Sequence, residues 1–140
     1  MNRKRMKQQL IQHEGIRLKP YRCPAGKLTI GIGRNLEDKG ITVDEAHFLL
    51  DNDIFECQTD LIMGGPVPDF FDLPEPIQRV LVDMRFNLGP AGFRSFENMI
   101  EAVKRRDWPE MKRQMIESRW YGQVKSRGPN LVEMVEEVIG

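Results

Sequence analysis

Glu14 is the residue whose type and place first suggest chemistry. Met6, Leu10 and Glu14 recur at i, i+4 and i+8, so they share one face of a helix predicted from about Arg3 to Glu14. A carboxyl there would lie beside apolar side chains. It would also sit at the helix C-terminus, where the negative end of the macrodipole opposes a second negative charge. Both effects favour the protonated form, which is the form a general acid needs. A solvated glutamate at a fraying helix end is the competing reading of position alone. Further on, Thr29, Gly31 and Gly33 alternate with Ile30 and Ile32. A strand of that pattern presents a hydroxyl and two bare backbone positions on one face, where a flat ligand could approach closely. A bulge or tight packing would use the same glycines. Gly31-Ile32-Gly33 lacks the third glycine and the βαβ setting of a dinucleotide fingerprint, so nucleotide binding is not expected. Cys23 and Cys57 form no paired-ligand motif, and only His13 and His47 could add imidazole, so neither metal nor cofactor is expected.

These residues need elements to hold them, and the pattern is mostly helical. Pro24-Ala25-Gly26 before the alternating Lys27–Gly33 run reads as a turn, predicting a short hairpin. Thr42-Val43-Asp44-Glu45 is a capping box that opens a second helix, whose apolar stripe runs through Leu50 and Ile54 to about Ile62. Gly64-Gly65-Pro66-Val67-Pro68 with Pro74 and Pro76 predicts a turn-rich connection, pinned by Phe70 and Phe71. Helical patterns resume over about Glu75–Asn87 and Ser95–Arg105. Asp107-Trp108-Pro109-Glu110 caps another helix, and two short helical stretches follow near Arg119 and from Pro129. Trp108, Trp120 and Tyr121 fall at helical spacing beside methionines and read as core. The class is therefore α+β, mostly helical with a small N-terminal β-hairpin lobe.

The whole chain of 140 residues reads as one domain, 1–140, with the β lobe at about 16–42. Lysines and arginines number 21 and so do the acidic residues, so no global basic excess invites nucleic acid. No apolar run reaches the length of a membrane span, and the basic Met1–Lys7 segment is not followed by the apolar core of a secretory signal. The expectation is a monomer made in the cytoplasm. Cys23 and Cys57 would form a redox lock if paired; independent free thiols are the plainer reading.

A longer combination of motifs runs in a fixed order along the chain. It comprises Glu14-Gly15-Ile16-Arg17-Leu18-Lys19-Pro20-Tyr21, then Cys23, then Thr29-Ile30-Gly31-Ile32-Gly33. Ile41–Ala46, Phe86-Asn87-Leu88-Gly89, Ala91-Gly92-Phe93 and Ser118-Arg119-Trp120-Tyr121 follow, and the whole resembles the phage-type lysozymes, the muramidases of T-even phages and lambdoid endolysins. The resemblance implies a lysozyme-like fold and a peptidoglycan substrate. By position it makes Glu14 the catalytic acid that protonates the oxygen between N-acetylmuramic acid and N-acetylglucosamine. Cys23 falls where many members carry an aspartate that activates water, and Thr29 matches the hydroxyl that helps place that water. Gly33 and Phe86 match positions lining sugar subsites, and Arg127 matches an arginine that pairs with the catalytic glutamate.

The departures bear on activity. A thiol at Cys23, with an ordinary pKa of about 8.5, replaces one of the two carboxyls that commonly flank a scissile glycosidic bond. Arg34 stands where relatives often have a cleft histidine, and Met99 and Gln114 stand at cleft positions that are smaller or polar in T-even relatives. With Gly33, Phe86 and Gln114, Arg34 belongs to the expected substrate-binding set. Lys104-Arg105-Arg106 and Lys112-Arg113 are basic clusters that a neutral chain could turn toward an anionic wall. The expected function is an endolysin-like muramidase that acts on the wall after release. Lytic transglycosylase-like cleavage and a non-catalytic scaffold binding murein or protein are the alternatives.

Overall fold

The computed structural model describes residues 1–140. It divides into a first unit, Met1–Leu49, and a second, Leu50–Gly140. The first unit opens with α1 (Arg3–Glu14), started by Asn2, whose side chain accepts from the Arg5 amide at 2.9 Å. β1 (Arg17–Arg22), β2 (Leu28–Gly31) and β3 (Arg34–Asn35) then form an antiparallel sheet in the order β1-β2-β3. The expected hairpin thus gains a third short strand, because the chain turns at Ile32-Gly33 instead of running straight on. Thr29 consequently pairs with Tyr21 on one side and Asn35 on the other. A single turn, α2 (Leu36–Lys39), leads to the long helix α3 (Val43–Met63), within which the unit boundary falls. The Thr42–Glu45 capping box forms as read. The Thr42 hydroxyl accepts from the Glu45 amide at 3.1 Å, and the Glu45 carboxylate accepts from the Thr42 amide at 2.9 Å. By itself the first unit has no buried apolar side chain; Thr29 is its one buried residue.

The second unit owns the hydrophobic core. After the Phe70–Asp72 turn come α4 (Glu75–Arg94), α5 (Glu97–Lys104), α6 (Trp108–Glu117), α7 (Arg119–Gln123) and α8 (Arg127–Ile139). Leu61, Phe70, Ile77, Leu81, Met84, Phe93, Met99, Met111, Met115 and Val135 interlock there, each essentially closed to solvent. Phe70 pins the connection as expected. Phe71 does not: it is 72% exposed and meets Phe70 edge to face. Asp107 caps α6 through the Glu110 amide at 3.1 Å. Trp120 is buried, its indole N–H donating to Asn87 Oδ1 at 2.9 Å, while Trp108 and Tyr121 pack partly buried against the core. The helix expected to stop near Asn87 continues to Arg94, but with a break. Gly89 takes φ +76°, a conformation only glycine adopts freely, and Pro90 restarts the helix beyond it. Likewise α8 begins at Arg127, two residues before Pro129, whose missing N–H is harmless in a first turn.

Candidate active site

In the first unit four of the expected site residues fall into two pairs. Glu14 closes α1, where the Gly15 amide returns to the Ile11 carbonyl at 2.7 Å and ends the helix. Its carboxyl is exposed and lies directly over Gly33. A Cβ on Gly33 would stand 2.8 Å from Glu14 Oε2 and 2.9 Å from its carboxyl carbon, so any side chain there would push the carboxyl aside. Gly33 also takes φ +67°, so the turn favours glycine, and the bare backbone leaves the carboxyl its present place. The alternation inferred for Thr29, Gly31 and Gly33 ends at this turn, since β2 stops at Gly31. Gly33 therefore serves as a seat for the carboxyl and not as part of a flat strand face. Apolar packing along α1 was also expected to flank Glu14; within its own unit the helix buries no residue.

Cys23 and Thr29 make the second pair. The Pro24-Ala25-Gly26 turn folds the chain back so that the Cys23 amide donates to the Lys27 carbonyl at 3.0 Å, and the Gly26 amide to the Cys23 carbonyl at 2.8 Å. The buried Thr29 hydroxyl donates to the same Lys27 carbonyl at 2.8 Å. This turn also acidifies the thiol. The Lys27 backbone holds the Cys23 sulfur below the ordinary thiol range; partial burial opposes this, and the Ala25 backbone and Thr29 hydroxyl assist it. Both cysteines are free. Cys57, by contrast, is buried, and that burial raises its pKa.

Arg34, read as a substrate contact, spends its guanidinium inside the protein. Nη1 and Nη2 grip Glu45 at 2.9 and 2.8 Å, and Nη1 also reaches the Gly40 carbonyl at 3.2 Å. Glu45 therefore caps α3 and clamps β3 at once, and these donors pull its pKa down to about 2. The capping box was legible in the sequence, but its second partner was not, because nothing local links positions 34 and 45.

In the second unit, Phe86 and Arg127 line one open pocket of about 570 Å³ with Gln78, Arg79 and Asp83. Arg127 Nε lies 3.2 Å from Asp83 Oδ1, so the acid that Arg127 meets within its unit is Asp83. No sequence signal marked Asp83. Gln114 sits apart from these two, in a pocket of about 480 Å³ with Phe96, Met99, Glu117 and Arg119, where its amide donates to Glu110 at 2.9 Å.

The chain matches the phage lysozyme family over residues 11–134. It belongs to that family. Within the family's span lie Glu14, Cys23, Thr29 and Gly33, all in the first unit. The family is one of glycoside hydrolases. Among individual proteins, the chain is 26% identical over 156 aligned positions to the pre-baseplate central spike protein Gp5 of Enterobacteria phage T4. That match covers 93% of this chain but 27% of the relative, so the chain spans about a quarter of that protein's length. No helix is long and apolar enough to cross a membrane.

Proposed function

We propose that the chain is an N-acetylmuramidase that hydrolyses the β-1,4 bond between N-acetylmuramic acid and N-acetylglucosamine in peptidoglycan. The observation that carries this reading is the Glu14 carboxyl seated on bare backbone at Gly33, on a sheet that also holds an acidified thiol and a buried hydroxyl. Glu14 gives its proton to the departing glycosidic oxygen. Water adds to the anomeric carbon, oriented by the Thr29 hydroxyl, and Cys23 as thiolate takes the proton that the water releases. The bond from carbon to the bridging oxygen breaks as the bond to water forms, with inversion at the anomeric carbon. The acidified sulfur supports the base role, because only the thiolate can accept a proton.

The setting is the bacterial wall after the protein leaves the cell, as an endolysin. Similarity to a baseplate spike protein favours a second setting, in which the same cleavage is carried on a larger assembly.

Mass spectrometry of fragments released from purified peptidoglycan tests the reading, with Glu14→Gln alongside. The expected result is fragments with reducing muramic acid ends, lost by at least a hundredfold in the variant. Release of 1,6-anhydro ends would shift the mechanism to transglycosylation. Undiminished release by Glu14→Gln would remove Glu14 from the chemistry, and no release by the parent would leave a binding scaffold.

A further inference from the structure

The neutral total conceals an uneven distribution of charge along two helices. Over Val43–Met63, α3 carries six acids and neither lysine nor arginine. Glu45 is engaged by Arg34, and Asp60 by Arg85 and Arg94. Asp44, Asp51, Asp53 and Glu56 are exposed and have no cation within ion-pair distance. On α1 the sign is reversed. Arg3, Lys4, Arg5 and Lys7 crowd its first two turns, all exposed and without an acidic partner. The basic clusters later in the chain behave differently. Lys104, Arg105 and Arg106 are taken up by Glu101, Asp107 and Asp69; Lys112 and Arg113 are taken up by Glu136, Glu110 and Glu117.

Exposed aromatic side chains accompany the acids on α3. Phe48 is 67% exposed and Phe55 70%. With Asp51 between them they stand at i, i+3 and i+7, a single stripe on one continuous helix, while Cys57 and Leu61 are buried in the core. Solvent alone gives no reason to repeat an open phenylalanine along one stripe. The complementary spacing recurs on α1, where Arg3, Lys7 and Leu10 lie at i, i+4 and i+7, all exposed. Laid antiparallel, the two stripes match residue for residue. Leu10 falls opposite Phe48, Lys7 opposite the Asp51 carboxylate, and the Arg3 guanidinium opposite the Phe55 ring. The seat ends a turn short of Glu14, whose carboxyl is engaged at Gly33.

We propose that the Phe48–Asp51–Phe55 stripe of α3 binds α1 of a second copy of this chain, in place of the monomer expected from the sequence. Each copy carries both halves of the contact, so two reciprocal seats close a dimer. Charge chooses the partner and the direction, because α3 repels another acidic helix and attracts a basic one. The phenylalanines carry roughly 150–250 Å² each, most of it open, so one seat with its α1 partner hides about 500 Å². Two seats reach about 1,000 Å², the low end for a specific interface, and imply a weak, reversible dimer. The association is independent of the muramidase reading, which the fragment analysis tests separately.

Sedimentation velocity of the full chain over about 1–200 µM tests the proposal. The expected result is a monomer–dimer equilibrium with a Kd of roughly 10 µM at low salt, weakened at about 0.5 M NaCl. Phe55→Gln should weaken it about tenfold, and so should Asp51→Lys or Lys7→Asp alone. Asp51→Lys and Lys7→Asp combined in one chain should restore the dimer to within about threefold of the parent. Lys104→Gln should leave the Kd unchanged, and thermal unfolding confirms that each variant is folded. A chain that stays monomeric throughout would overturn the proposal and leave the stripe to a different partner. A dimer indifferent to Phe55→Gln, or a charge-swapped chain no tighter than its single variants, would overturn it as well.

Discussion

Cys23 shows how a few backbone groups set the chemistry of one side chain. A cysteine on a flexible turn would titrate as a free thiol, but the Lys27 backbone and the Thr29 hydroxyl favour the charged sulfur and lower its pKa. A lowered thiol pKa means more thiolate at any pH below the ordinary value. Alkylation by iodoacetamide, followed by mass spectrometry across pH 6 to 9, should label Cys23 first and continue at pH values where a free cysteine slows. Cys57 should resist labelling in the folded protein, since it is buried and its pKa is raised. Equal reactivity of the two thiols would remove the proposed base. Glu14 depends on its neighbour in another way, by the absence of a side chain at Gly33. The resemblance identified both residues. The seat at Gly33 could not be read locally, because it depends on a turn between strands that alternation alone does not predict.

Among the elements, the kinked α4 carries the clearest energetic argument. Its halves diverge at Gly89, and one carboxylate on α3 ties both together. Asp60 accepts from Arg85 Nε at 2.7 Å before the kink, and from Arg94 Nη1 and Nη2 at 2.9 and 2.8 Å beyond it. Arg85 is buried, so its charge requires this partner. The two arginines hold the Asp60 pKa at about 2, below its ordinary 3.8. A depressed folded-state pKa means that the contribution is complete above the unfolded value and disappears as pH falls through the folded one. By linkage it amounts to about 2 kcal/mol, lost between roughly pH 4 and pH 2. Thermal unfolding should show Asp60→Asn less stable at pH 7 by about 3 kcal/mol, since Arg85 is left buried and unpaired. The gap between parent and variant should narrow as pH falls through that window. A gap that stays constant down to pH 2 would rule out this role for the ion pair. In the sequence, Asp60 is one acid among several on a long helix; Arg94, thirty-four positions later, gives it meaning.

At the scale of the whole molecule, the apolar core belongs to the second unit. A segment of 49 residues with no buried apolar side chain of its own lacks the main driving force for folding. Expressed alone, residues 50–140 should unfold cooperatively with a measurable Tm, whereas residues 1–49 should lack a cooperative transition by circular dichroism. A cooperative transition in the short fragment would show that capping and strand pairing suffice without a core. Charge follows the same logic. Composition reported neutrality, and only the ion-pair partners revealed which cations remain unpaired.

The sequence by itself determined the helices, the capping boxes, the turn at Pro24–Gly26 and membership in the lysozyme family. Each rests on residues close together in the chain or on motifs in a fixed order, where periodicity and turn chemistry act locally. Tertiary structure decided what depends on residues brought together from afar. It paired Arg34 with Glu45 and Arg127 with Asp83, extended α4 through a glycine break, and seated Glu14 on Gly33. It also paired the conspicuous basic clusters, Lys104–Arg106 and Lys112–Arg113, with acids of the second unit. Charges and carboxyls act through space at a few ångströms, and one-dimensional spacing does not carry that distance.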